Sequence, residues 1–381
     1  MKRIFKYLWK LIILLLIFSC TKNNHSNIDF KIKQFAKETV ERNQIPGIAI
    51  SVFSSDTIFS IDYYGVKKLN TTDSLTNESR FHIGSCGKAF LCYAAVDLVC
   101  KDLIGWDSRF FDFFPEYKKL ANNSYSNFTL LQLLQHQEGL PHRQLTSNEI
   151  ISPYIFSDTS FNRQQLFSWA LSKKACNNCF QYSNIGYVMA ASMLEKAGKK
   201  GWKELIAESV FTPLCIKGEF GWPANDSSQT YGHWINPNNK ELLIQNPIDN
   251  FSLEKFSTDA AGDINLNIPD YIRFLQDNLK GIKGESAILL PDAYNLMDKG
   301  TQYGLGWELL HNYHGFRNVS LHKGSPGSFF CQTTLLKNQD IAVIIIANST
   351  FDNQEQIFER LTINSLEFLV LVFRNNKNHG M

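Results

Sequence analysis

The run Phe81-His82-Ile83-Gly84-Ser85-Cys86-Gly87-Lys88 sets a serine three residues before a lysine at the start of an apolar stretch. On the first turn of a helix that spacing puts both side chains on one face. A serine hydroxyl is a weak nucleophile without a neighbouring base, and a lysine can serve once burial or nearby cations favour its neutral form. The positive end of a helix also favours negative charge developing there. The spacing alone does not decide, because S-x-x-K occurs four times: Ser19/Lys22, Ser85/Lys88, Ser252/Lys255 and Ser320/Lys323. Tyr182-Ser183-Asn184 opens a second apolar run. A tyrosine beside a lysine cation has its pKa lowered and can relay a proton, and an asparagine offers a substrate amide both donor and acceptor. This pattern too has a second copy, Tyr125-Ser126-Asn127. Finally, His322-Lys323-Gly324-Ser325 sits between two strand-like runs. A strand edge there could align a substrate backbone, and Gly324 would allow close approach. By itself His322 reads first as a surface histidine beside a glycine turn.

The elements that must position these residues come from both ends of the chain. Lys31 to Arg42 has helical periodicity, broken by Ile45-Pro46-Gly47. Ile48–Phe53 and Thr57–Ile61 read as strands. From Ser85 an apolar helix is expected, ending near Gly105, and another over Ile268–Leu279. Strand signals return at Gly306–Leu310, Ser328–Thr334 and Ile341–Ile346, and 354–373 closes as an apolar helix. The middle reads as helices and loops. The expected fold is α/β, an antiparallel sheet flanked by helices and formed from both chain ends, with an all-helical insertion. The boundaries are 31–106 and 252–373 for the sheet domain, 107–251 for the helical domain and 374–381 for a tail.

Taken in order, the three motifs resemble the serine β-lactamase and penicillin-binding superfamily, whose signature is S-x-x-K, then Y-x-N or S-x-N, then K/H-x-G. Tyr182 in the middle motif, with no S-D-N, resembles the class C-like branch. Further segments fit: Ile45-Pro46-Gly47 before a strand, Leu133-Leu134-Gln135-His136-Gln137-Glu138-Gly139-Leu140-Pro141, Tyr303-Gly304-Leu305-Gly306-Trp307, and Ala347-Asn348. Glu138 stands where the family usually has serine. The resemblance implies Ser85 as acylated nucleophile, Lys88 and Tyr182 sharing acid–base duty, and Asn184 binding the acyl amide. It implies an oxyanion hole from the N–H groups of Ser85 and Ser325, with His322 and Gly324 on the substrate's carboxylate side. It implies no cofactor and no metal, and a small-molecule or peptidoglycan-like substrate. Histidine in place of the lysine of K-x-G gives an anionic substrate a weaker anchor at neutral pH. Hydrolysis of an ester, D-amino-acid peptide or related amide is therefore expected ahead of β-lactam cleavage; the rival is a non-catalytic binding protein on the same fold.

Composition agrees with a globular protein. The 381 residues are 44% hydrophobic, with 38 Lys+Arg against 36 Asp+Glu, which excludes a disordered or fibrous chain. Lys2, Arg3, Lys6 and Lys10 hold the basic excess, so nothing downstream has the charge footprint of a nucleic-acid binder. These lysines precede an apolar run, Leu11–Phe18, of about 12 Å as a helix, short of a roughly 30 Å bilayer core. That is a secretory layout. Closed by Cys20 and followed by a polar tether to residue 30, it resembles a bacterial lipoprotein signal (residues 1–19). The expectation is an exported protein, lipid-anchored at Cys20 to a bacterial membrane. Seven cysteines remain after Cys20; Cys176-Asn-Asn-Cys179 reads as a local disulfide or inert thiols, and Cys92, Cys100 and Cys331 as buried thiols.

Overall fold

The computed structural model describes residues 34–125, 127–141, 162–176, 180–235, 241–245, 258–286, 288–289 and 291–378, with side chains to 366 in the last helix. Cys20, the leader, and the Ser19/Lys22 and Ser252/Lys255 pairs lie outside the described residues. Strands β1 (Gly47–Phe53) and β2 (Ile58–Gly65) open the main sheet. Strands β3 (Arg80–His82), β4 (Glu219–Phe220), β5 (His233–Ile235), β6 (Leu242–Ile244) and β7 (Ile264–Asn267) lie outside it. Strands β8 (Glu308–Leu310), β9 (Val319–Gly324), β10 (Phe330–Leu336) and β11 (Ile341–Ala347) complete it. The order is β2-β1-β11-β10-β9-β8, antiparallel throughout.

Both faces of this sheet are covered, so its central strands are continuous apolar runs and not alternating ones. Ile48, Ile50, Val52, Val343 and Ile345 point to one face, against Phe358, Leu361 and Ala36 from the terminal helices. Ala49, Phe53, Ile344 and Ile346 point to the other, toward the helices Lys88–Cys100 and Ile268–Ile282. Lys88–Cys100 is buried on nearly every side, which is why it is apolar all round. Phe90 on that helix stacks on Phe274, centroids 3.8 Å apart; truncating such a ring to alanine costs about 3–5 kcal/mol.

Three expectations change. The inserted segment is not purely helical: β4 pairs with β7, and β5 with β6. Strands of two or three residues are too short for period two to show in the sequence. The expected tail at 374–381 is helical through Asn378, since the closing helix runs Gln354–Asn378 and meets no breaker before Gly380. Cys100, the last residue of its helix, is exposed; Cys86, Cys92 and Cys331 are buried free thiols. Cys176 is disulfide-bonded, and its partner falls outside the described residues. Among the described residues no helix is long and apolar enough to cross a membrane.

Candidate active site

Ser85 lies in the 3-10 turn Gly84–Gly87 that leads directly into the helix beginning at Lys88. The turn is gripped from two sides by backbone. Gly84 has φ +54°, and a Cβ on it would lie 2.7 Å from the Ser325 nitrogen. A Cβ on Gly262 would lie 2.5 Å from the Gly84 oxygen. His82 accepts from the Gly84 N–H at 3.1 Å and holds the Asp263 carboxylate at 3.0 Å through its other nitrogen, both side chains being buried.

Lys88 is wholly buried, and its Nζ has three neighbours: Asn184 Oδ1 and the Ala261 carbonyl at 2.7 Å, and Ser85 Oγ at 3.1 Å. Burial lowers its pKa from 10.5 to about 7. A neutral amine has two hydrogens and one lone pair. The two oxygens that can only accept take the hydrogens, so the lone pair is left for the Ser85 O–H. This is the arrangement a general base requires.

Tyr182 behaves differently from the sequence expectation. Its ring lies 5.0 Å from Lys88 Nζ and its hydroxyl bonds to Ser85. Its pKa is raised, chiefly by burial, which outweighs its hydrogen bond with Ser85. Tyr182 is therefore a phenol, a proton donor. The loop carrying it is set by His136, whose ring packs 4.4 Å from Tyr182 and 4.6 Å from Tyr303. His136 Nδ1 accepts from the Ser183 N–H, and its carbonyl from the Gln181 N–H. The Ser183 hydroxyl caps the helix Asn184–Gly198. With Asn184 Oδ1 bonded to Lys88, its amide N–H groups remain for a ligand.

The β9 edge closes the site. A Cβ on Gly324 would fall 2.0 Å from the Ile83 oxygen and 2.9 Å from the Ser85 nitrogen, so only glycine lets this strand end approach the turn. That approach brings the backbone nitrogens of Ser85 and Ser325 together. His322 lines the cavity but is 1% exposed, with Nε2 bonded to the Tyr303 hydroxyl and Nδ1 to the Lys323 carbonyl, each at 2.8 Å. A carbonyl only accepts, so Nδ1 carries the hydrogen and Nε2 receives the Tyr303 O–H. Neither ring nitrogen is left for a substrate carboxylate. The cavity has a volume of about 730 Å³, and its walls include Ser85, Tyr182, Asn184, His322, Gly324 and Ser325. Every residue expected at the site within the described chain lines it except Lys88, which is buried behind Ser85.

The second copies of the motifs are structural. Tyr125 donates to the Ala170 carbonyl, and Asn127 bonds Asp112 and the Phe111 N–H. Sequence reasoning missed Ala261, Gly262 and Glu308, which also line the cavity. The first two act through backbone that any small residue supplies, and Glu308 had only its place after Gly306-Trp307 to mark it.

Sheet order, buried central helix and edge-strand cavity together define a β-lactamase/transpeptidase-like protein, a superfamily of serine hydrolases. The chain belongs to the Beta-lactamase family, whose model matches residues 32–366. Among curated proteins it is similar to penicillin-binding protein 4* of Bacillus subtilis (strain 168), 21% identical over 310 residues, covering 75% of this chain and 64% of that protein. It is also similar to an unguisins hydrolase of Aspergillus campestris (strain IBT 28561), 22% identical over 360 residues, covering 88% and 64%. The chain thus spans just under two thirds of the length of these relatives. A solved D-amino acid amidase from Ochrobactrum anthropi SV3 superposes with a TM-score of 0.70 at 19% identity, covering 92% of this chain and 99% of that one.

Proposed function

We propose that this protein is an exported serine acyl hydrolase of the class C-like branch, acting through an acyl-enzyme on an ester, a D-amino-acid peptide or a related amide. The observation that carries the reading is the buried Lys88 amine, its hydrogens committed to Asn184 and Ala261 and its lone pair facing Ser85. Ser85 Oγ attacks the carbonyl carbon as its proton passes to Lys88 Nζ. The carbonyl oxygen becomes an oxyanion between the Ser85 and Ser325 N–H groups, each such donor being worth roughly 3–4 kcal/mol. As the C–O or C–N bond breaks, Tyr182 gives its proton to the leaving group and recovers one from the Lys88 ammonium. Water then enters, gives a proton back through the same pair, and releases the acid with Ser85 restored. The unguisins hydrolase and D-amino acid amidase likenesses support a hydrolase acting on esters or amides. His322, with both ring nitrogens already hydrogen-bonded, supports these substrates ahead of β-lactams.

Labelling with a fluorophosphonate or a penicillin tests the reading: one adduct by intact mass, located on Ser85. No adduct with either probe would leave the non-catalytic binder. We further propose that Cys20 is the lipidated first residue of the mature protein; Cys20→Ala should lose lipid labelling and leave the membrane fraction, and equal labelling of both forms would refute it.

A further inference from the structure

Away from Ser85, the cavity wall carries Glu308, Lys323 and Glu355 as its charged side chains. Lys323 Nζ bonds Glu355 Oε2 at 2.7 Å, so those two cancel. Glu308 has no ion-pair partner among the described residues. It opens β8, half-buried, opposite Leu321 of β9 and bridged to Tyr303. Its negative charge is felt at Tyr182, where it helps keep the phenol protonated, so it acts on the reacting centre and not only on the rim. Among the described residues the one cation on the wall, Lys323, is already paired with Glu355. His322 has both ring nitrogens engaged by Tyr303 and the Lys323 carbonyl; Lys88 is held near neutrality and bonded to Asn184 and Ala261. Where an anionic substrate would need a positive anchor, this cavity presents one uncompensated carboxylate.

We propose that Glu308 is a specificity-determining residue, and that the substrate carries an ammonium group which pairs with it, roughly 10 Å along the β9 edge from the scissile carbonyl. The distance follows from the three residue steps from Leu321 to Gly324 at about 3.3 Å each. A half-buried carboxylate on a cavity wall with no ion-pair partner attracts a cation and repels an anion, and both effects strengthen where water is partly excluded. The inference rests on the acyl-hydrolase reading and deepens it by naming a cationic ester or amide.

The test is a series of thioesters of matched shape ending in trimethylammonium, tert-butyl or carboxylate. One arm carries the terminal group on the acyl chain and the other on the leaving thiol, with short and long spacers. In at least one arm kcat/KM should rank cation over neutral over anion, with about tenfold between the first two, and Glu308→Gln should collapse that ratio toward unity. A wild-type protein blind to charge in both arms, or a preference that survives Glu308→Gln, overturns the proposal. Binding of the same compounds to the Ser85→Ala protein separates the two readings. A charge order in binding without any turnover by the wild type fails the hydrolase reading alone. Turnover without a charge order fails this one.

Discussion

The chain presents one residue pair at one spacing in two places: Ser85/Lys88 at a helix start and Ser320/Lys323 on β9. At the first, three residues make nearly one turn, and the lysine folds back to within 3.1 Å of the serine. At the second, three residues along a strand put the side chains on opposite faces. Ser320 points inward, 1% exposed, 3.5 Å from Asp298, while Lys323 points outward to Glu355. The same letters give a hydroxyl bonded to a buried amine in one case and a core hydroxyl with a surface ion pair in the other. What β9 brings up to Ser85 itself is backbone: the close approach of Gly324 and the N–H of Ser325.

The largest expected effect separates the two serines. Ser85→Ala should reduce hydrolysis of a chromogenic short-chain ester to the uncatalysed background and remove the acyl adduct. Ser320→Ala should stay within a few-fold of wild type, because Ser320 reaches Asp298 and not the cavity. Rates and intact masses of both variants decide it; loss of turnover in Ser320→Ala with turnover kept in Ser85→Ala would invert the assignment.

The lysines should differ almost as much. Lys88→Met should cost about 10³-fold, within the range of general acid–base contributions, and Lys323→Met much less. The pH profile adds a signature. With a pKa of about 7 in the folded protein, Lys88 is ammonium below that pH and free amine above it. Only the amine takes the Ser85 proton, so kcat/KM should climb through pH 7 and level above 8. A profile of wild-type protein that is flat between pH 6 and 8 would remove the role assigned to the amine.

Gly324→Ala probes the backbone half of the comparison. A methyl group 2.0 Å from the Ile83 oxygen cannot be accommodated without moving β9 away from the turn. Pulling Ser325 N–H out of place should lower kcat by about 10²-fold with a smaller change in KM, the pattern of a lost transition-state donor. Gly201→Ala, with nothing within 4 Å of the new Cβ, is the control for a glycine substitution as such. Equal losses in both would mean general destabilisation.

How much of this was legible in the sequence follows from the same physics. The sheet's long strands were readable because Ile341–Ala347 and its neighbours are unbroken apolar runs. Ser85, Lys88, Tyr182 and Asn184 were readable only through the order of three motifs, since each motif alone occurs elsewhere or has a bland reading. Ala261 was invisible: its contribution is a carbonyl, identical in every residue. The protonation state of Tyr182 was misjudged because it depends on the burial of its own hydroxyl, which no spacing records. His322 was placed on the cavity wall, but its partner Tyr303 lies 19 residues away in another segment, and only tertiary contact shows that both ring nitrogens are occupied.

The smallest expected effect concerns burial itself. Lys88 is buried with acceptors for its hydrogens. Glu138, 7% exposed, is buried with neither carboxylate oxygen bonded, and a Cβ on Gly186 would come 2.5 Å from its Oε1. Burial raises its pKa well above 4.5, so the folded protein keeps the proton while the unfolded chain releases it near pH 4.5. Between the two pKa values the native state binds more protons, and stability falls as pH rises. Glu138→Gln keeps the shape and removes the titration. It should therefore leave the melting temperature nearly unchanged at pH 4 and raise it at pH 7–8, by roughly 1–3 °C for about 1 kcal/mol of relieved cost. Thermal melts of both proteins across that range measure the difference. A gap that is the same at pH 4 and pH 8 would mean that Glu138 is charged in the folded state and has a partner, and burial without a partner would then cost this fold nothing at that position.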